Sequence, residues 1–180
     1  ANMLWHSDSS FKQVLSRCSV LSAREIPAEG GATEFASTRA AYASLDRARQ
    51  DELRDLLVEH DIVYSRRLVG FEFTQQEADS FKGYRHKLVQ TCAITGQNSV
   101  LIGAHAKAIV GWPEARSRAL LDDLLARATR PENTYRHAWR NGDVVVWDNR
   151  AVVHRATPYD GAKYRRLMQR TTISMGDRAA

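Results

Sequence analysis

The chain has 180 residues, 43% of them hydrophobic and 26% charged, a balance that fits a soluble protein with a buried core and excludes a disordered or fibrous chain. Lys and Arg outnumber Asp and Glu by 26 to 21, but the excess is scattered, so a small anionic ligand explains it as well as nucleic acid does. No apolar run reaches the length of a membrane span and no secretory leader is expected, while Cys18 and Cys92 stand far apart without metal-type spacing, as in a reducing, cytoplasmic setting.

The sequence opens on Ala1 rather than Met, and a chemistry-bearing stretch follows almost at once. A piece of a longer protein is therefore expected. LWHSDSSF, Leu4 to Phe11, reads as an extended segment in which His6 and Asp8, two positions apart, share one face and can reach one ion. His-x-Asp alone is a weak signal, because most such pairs are ordinary hydrogen-bonded neighbours. Cys18 to Ala23 reads as a strand, followed by a turn over Pro27 to Gly31 and a short strand at Thr33 to Phe35. In SLDRARQDELRDLLVEH, Leu45, Leu53, Leu56 and Leu57 fall at helical spacing behind a capping Asp46. Thr74 with Glu77 forms a capping box for a further short helix. NSVLIGAHA reads as one strand, and Trp112-Pro113 opens a helix through Ala128 that carries Leu120, Leu121, Leu124 and Leu125. GDVVVWDNRAVVHRA is expected to be a hairpin turning at Asp148-Asn149, and RRLMQRTTIS closes the chain as an alternating strand. With no repeats and no linker, residues 1–180 read as a single domain, a β-core decorated with helices.

A third candidate ligand, His154, ends the second arm of that hairpin. Two histidines and one carboxylate on one side of an octahedral ion leave three positions open, which suits Fe(II) in oxygenases better than a closed zinc site. His60, His86 and His137 lie in helical or charged contexts where a solvated role is expected. His105 ends an apolar strand, where a core histidine satisfied by backbone and a substrate contact are equally good readings. On the closing strand Arg166, Met168, Arg170 and Thr172 share one face, and Arg165, Leu167, Gln169 and Thr171 the other. Arg166 and Arg170 are then separated by about 13 Å, at ~3.3 Å per residue. They can serve two different anions.

His6-x-Asp8, the run Gly30-Gly31-Ala32-Thr33-Glu34-Phe35, Trp147-Asp148-Asn149-Arg150, His154 and the run Arg165-Arg166-Leu167-Met168-Gln169-Arg170 together resemble the taurine dioxygenase family of Fe(II)- and α-ketoglutarate-dependent dioxygenases. The resemblance covers Trp5 to Ile173. Within the family, LWHSDSSF, GATEF, YSRRLVG, LIGAHA and YRHAWRNGDVVVWDNRAVVHRA resemble the branch acting on 2,4-dichlorophenoxyacetate. The resemblance implies a mainly β fold with helical insertions, a double-stranded β-helix or cupin-like jelly roll, here lacking N-terminal strands that family members carry before the His-x-Asp segment. It makes His6, Asp8 and His154 the iron ligands, and it matches Thr33 and Arg166 to the residues that hold the distal carboxylate of α-ketoglutarate. Arg170 matches the anchor for the substrate's acid group, and Asn2 and His105 match positions lining the substrate pocket. Arg165 is the rival to Arg166, and strand alternation with Arg170 favours Arg166. The implied cofactors are Fe(II), with α-ketoglutarate as cosubstrate and O2, and the implied partner is a small acid. Hydroxylation beside the ether oxygen of a phenoxyacetate would give a phenol and glyoxylate, with succinate and CO2. A taurine-type sulfonate dioxygenase and a non-catalytic anion-binding barrel are the alternatives. Neither nucleic acid nor membrane is an expected partner, and self-association is left open.

Overall fold

The computed structural model describes residues 2–176. In chain order the elements are β1 (Ser16–Glu25), β2 (Thr33–Ser37), α1 (Thr38–Ala43), α2 (Arg47–Leu53), β3 (Leu57–His60), α3 (Ile62–Arg67), α4 (Gln75–Ser80), β4 (Tyr84–Lys87), β5 (Val89–Thr91), β6 (Asn98–Val100), β7 (Ala106–Ile109), α5 (Glu114–Ala128), a 3-10 turn at Pro131–Asn133, β8 (Thr134–His137), β9 (Val144–Asp148), β10 (Val152–Ala156) and β11 (Leu167–Ser174). Two three-stranded antiparallel sheets, β11-β1-β9 and β10-β2-β8, form the jelly roll, and a smaller sheet, β4-β3-β7, and the β5-β6 pair belong to the helical insertion. The two main sheets face one another, with the Trp147 ring 5.3 Å from Phe35 and 4.7 Å from His154.

Register decides which residues enter that interior. Ser19 lies between Trp147 and Thr172, and Leu21 between Val145 and Arg170. Alternation sends this row inward and leaves Val144 and Val146 on the outside, 61% and 60% exposed. The insertion supplies the apolar core, where Leu53, Val58, Leu88, Ile102, Ile109 and Leu124 are fully buried. Each such side chain stabilises the fold by roughly 1.5–3 kcal/mol.

Several expectations hold. Helix α5 starts directly after Pro113 with Leu120, Leu121 and Leu124 buried, and Thr74 and Glu77 make both bonds of the capping box. Others are corrected. GDVVVWDNRAVVHRA is not a hairpin, because β9 pairs with β1 while β10 pairs with β2. Asp148-Asn149-Arg150 has no glycine for a primed hairpin turn. Instead the Asp148 carboxylate accepts the Arg150 N–H at 2.9 Å and the chain passes from one sheet to the other. The helix behind Asp46 ends at Leu53, and Leu57 opens β3, since a strand here lets Val58 and His60 both reach the interior. A further short helix, α1, is capped by Ser37. NSVLIGAHA splits into β6 and β7 around Gly103, at φ 111°, so His105 sits in a turn and not at a strand end. LWHSDSSF is no regular strand. Only His6 pairs, and the chain turns at Ser9, a non-glycine residue at φ 57°.

Candidate active site

His6 and His154 are cross-strand neighbours. Their backbones exchange two hydrogen bonds, His6 N to His154 O at 3.0 Å and the reverse at 2.9 Å, which sets the two rings 4.3 Å apart. Asp8, in the turn that follows His6, reaches back so that its Oδ1 lies 3.8 Å from His6 Nε2 and its Oδ2 3.8 Å from His154 Nε2. One donor atom from each of the three residues lies within 4.8 Å of the others, and all three residues are buried. Burial pushes the His6 and His154 pKa values below the ordinary histidine value, and for His154 the charges of His6 and Arg170 push the same way. Both imidazoles are thus neutral. His6 Nδ1 donates to Leu4 O at 2.8 Å, which leaves the lone pair on Nε2, beside Asp8. His154 Nδ1 is buried without a hydrogen-bond partner. Two neutral nitrogens and a carboxylate converging on one point, with Arg170 reaching only the carboxylate, fit a first-row divalent metal with open positions.

The carboxylate is held by a buried network. Ser19 Oγ donates to Asp8 Oδ2 at 2.7 Å, and Asn149 Nδ2 donates to Ser19 Oγ at 2.8 Å. Asn149 Oδ1 in turn accepts from Trp147 Nε1 at 3.0 Å and from the Asp8 backbone N–H at 3.3 Å. Arg170 Nη1 donates to Asp8 Oδ1 at 2.7 Å. Asp148, next to this network in sequence, faces outward and pairs with Arg150 and Arg39.

Two cavities meet at the cluster. One, of about 300 Å³, lies between the sheets and is lined by Thr33, Trp147, His154, Arg166, Met168 and Arg170. Thr33 Oγ1 accepts from Trp139 Nε1 at 3.0 Å, leaving its own proton free to donate. Arg166 is half-buried and donates Nε to Gly31 O at 3.1 Å, and burial lowers its pKa. Arg165 lies outside this cavity, its side chain 72% exposed and paired with Glu25. The other cavity, of about 170 Å³, is lined by Leu4, Asp8, Phe11, Ser65, Arg66 and His105 and shares His6 and Arg170 with the first. His105 Nδ1 is 2.8 Å from Ser65 Oγ, and its pKa is pushed down to about 3, first by burial and then by His6 and Arg66. Asn2 borders both cavities.

All eight residues singled out from the sequence, Asn2, His6, Asp8, Thr33, His105, His154, Arg166 and Arg170, surround these two spaces. The expectation of three solvated histidines is corrected. His60 is fully buried on β3, 3.0 Å from Ser10 Oγ, because β3 is a strand whose alternate side chains face the core. His86 and His137 are half-buried on strands and bond to Lys12 O and Asp143 respectively. Ser19, Asn149, Ser65 and Arg66 also border or support the site, although the sequence does not single them out. The inward row of β1 could have pointed to Ser19, but Asn149 is recognisable only once the turn after Trp147 is seen to face Asp8.

The sequence profile described as taurine catabolism dioxygenase TauD, TfdA family matches residues 1–172. The alpha-ketoglutarate-dependent 2,4-dichlorophenoxyacetate dioxygenases of Cupriavidus pinatubonensis and of Burkholderia sp. (strain RASC) are 45% and 44% identical over 174 residues, 96% of this chain. The chain spans 61% and 59% of their respective lengths. Among solved structures, that of AAD-2 in complex with Mn(II) and N-oxalylglycine superposes with a TM-score of 0.91 at 42% identity, covering 96% of this chain and 69% of that one. No helix among the described residues is long and apolar enough to cross a membrane. With a jelly-roll fold, a facing pair of histidines and a carboxylate, and a profile match over nearly its whole length, the chain belongs to the TauD, TfdA family of dioxygenases.

Proposed function

We propose that the protein carrying this chain is an Fe(II)- and α-ketoglutarate-dependent dioxygenase that hydroxylates the carbon beside the ether oxygen of aryloxyacetic acids, with residues 1–180 acting as one catalytic domain. The observation that carries the reading is the buried His6, Asp8 and His154 cluster standing between two arginine-bearing cavities. The names of the two relatives at 44% and 45% identity support the choice of substrate.

His6, Asp8 and His154 would hold the iron. Bound together, Fe(II) and α-ketoglutarate supply O2 activation, one oxygen atom going to succinate as CO2 is lost and the other into a substrate C–H bond. The chain's own groups do the rest. His6 and His154 stay neutral because they are buried, and so present lone pairs rather than protons. Ser19 and Asn149 fix the plane of the Asp8 carboxylate. Arg166 and the Thr33 hydroxyl bind the distal carboxylate of the cosubstrate, a charge-assisted contact in a half-dry cavity. Arg170 holds the substrate's acid group next to Asp8. Phe11 and Leu4 exclude water on the substrate side. Hydroxylation next to the ether oxygen gives a hemiacetal, which opens to a phenol and glyoxylate without a hydrolytic base. Cys18 and Cys92 are free thiols, in keeping with a reducing cytoplasm that maintains Fe(II).

The test is a product assay on the intact protein with phenoxyacetates and, separately, with taurine. Equimolar phenol, glyoxylate and succinate from the aryloxy acids is the expected result. Sulfite release from taurine in preference to phenol formation would move the protein to the sulfonate-acting reading, and succinate formation with neither substrate would refute both.

A further inference from the structure

Arg66 is a cationic residue of the substrate side that the proposed reaction leaves unused. It lies next to the last residue of α3, and its carbonyl accepts the N–H groups of Val69 and Phe71, each at 3.1 Å. Gly70, at φ 72°, allows that tight return. The turn therefore fixes Arg66 and Phe71 as one unit. Phe71, Phe73 and Phe81 pack ring against ring, with centroids 5.0 Å apart in both pairs. Phe71 and Phe81 nevertheless remain 51% and 40% exposed. These rings, with Ile62 and Val69, line an open apolar cavity whose remaining wall is Arg66. The same Arg66 lines the cavity that holds His6, Asp8, His105 and Arg170. It is the residue shared by the two spaces. Its guanidinium makes no ion pair or hydrogen bond with any described residue, although its charge is felt at both His6 and His105.

An unpaired cation beside a paired one, Arg170, and next to an apolar chamber is the lining an amphipathic acid requires. We infer that Arg66 and the Phe71, Phe73 and Phe81 cluster form a specificity subsite: the substrate's carboxylate lies between Arg170 and Arg66, and its apolar end passes Arg66 to rest against the phenylalanines. The inference deepens the proposed dioxygenase reading and rests on it. It selects, within aryloxy acids, those whose apolar part is longer than a single unsubstituted ring. A phenyl group alone would leave the phenylalanine cavity unfilled.

The test is an anaerobic titration of the intact protein, loaded with Fe(II) and α-ketoglutarate, with phenoxyacetates bearing 4-methyl, 4-propyl and 4-pentyl groups. Binding is read from the perturbation of the visible absorption, without turnover. Affinity is expected to rise roughly fourfold per methylene buried, and Phe73→Ala and Phe81→Ala should flatten that dependence. Arg66→Gln should weaken every member of the series roughly tenfold or more, with partial recovery in Arg66→Lys and unchanged affinity for α-ketoglutarate in both. A flat series in the wild type overturns the inference, as does wild-type affinity in Arg66→Gln. Phenylalanine variants that alter only solubility or self-association also overturn it, because the patch is then a protein contact. If no α-ketoglutarate absorption forms at all, the dioxygenase reading is the one that has failed. Calorimetric titration of the metal-free protein with the same acids then decides the subsite by itself.

Discussion

Asn149→Ala removes one buried amide that three groups depend on. Trp147 Nε1–H loses its acceptor at 3.0 Å, the Asp8 N–H loses one at 3.3 Å, and Ser19 Oγ loses a donor at 2.8 Å. A buried donor left unpaired costs about 1–3 kcal/mol, and two are stranded here. The longer Asp8 contact is the weaker, so the expected loss of folding stability is about 3 kcal/mol, a large fraction of a typical domain's margin. Ser19 also holds Asp8 Oδ2, so the carboxylate should lose its fixed plane and metal affinity should fall roughly ten- to a hundredfold. Urea unfolding of the metal-free protein reads the first effect, and competition with a chelator for a divalent metal reads the second. Asp148→Ala is the control. That carboxylate holds the turn through Arg150 and pairs with Arg39, outside the metal cluster, so a loss of about 1–3 kcal/mol with unchanged metal stoichiometry is expected. A stable Asn149→Ala protein that binds metal as the wild type does would refute the network argument, and metal loss from a folded Asp148→Ala would make Asp148 a ligand.

Arg166→Gln should raise the α-ketoglutarate KM roughly ten- to a hundredfold, whereas Arg165→Gln should leave it near wild type because Arg165 points away from the cavity; the reverse pattern would shift the strand register by one. Gly31→Ala should act on the same ligand, since Gly31 has φ 65° and an added Cβ would lie 2.8 Å from Pro27 Cγ and 3.3 Å from Arg166 Cδ. A substantially raised α-ketoglutarate KM with metal binding retained is expected, and an unaltered KM would show that Arg166 does not depend on this turn. His60 contributes a pH dependence to folding. Burial, and to a smaller degree His86, lowers its pKa from 6.5 to about 3, so between these values the unfolded chain binds a proton that the native state refuses. Stability should be fully present above pH 6.5 and fall with acidification toward pH 3. His60→Asn should lessen the slope of stability against pH in that window by up to about 1.4 kcal/mol per pH unit, and an unchanged slope in urea unfolding between pH 4 and 6 would contradict the assignment.

Local chemistry was legible wherever a side chain acts on its own neighbourhood. Asp46 and Thr74 with Glu77 mark helix starts because capping is satisfied within a few residues, and Trp112-Pro113 marks one without any side-chain cap because proline's fixed φ and missing N–H suit the beginning of a helix. Arg166 and Arg170 kept their shared face because strand alternation survives whatever the strand pairs with. Partner choice was not legible. The β-branched arms of β9 and β10 look like a hairpin in sequence, yet each has a better partner in β1 or β2, far away along the chain. His6 and Asp8 came together for a different reason from the one their spacing offers. A bridge to His154 fixes the first, and a turn through Ser9 brings the second back. The burial of His60 is hidden in the sequence because the leucine spacing of the preceding helix runs on into β3, and nothing local marks the change of period at Leu57.

His6, Asp8 and His154 should hold one metal ion where the two arginine-bearing cavities meet. The decisive experiment is an anaerobic titration of the intact, metal-free protein with Fe(II) at saturating α-ketoglutarate, followed by visible charge-transfer absorption. Saturation at one iron per chain is expected, with loss of the band in His154→Ala at iron concentrations that saturate the wild type. A band that persists at full strength in folded His154→Ala, or no band in the wild-type protein, would contradict it.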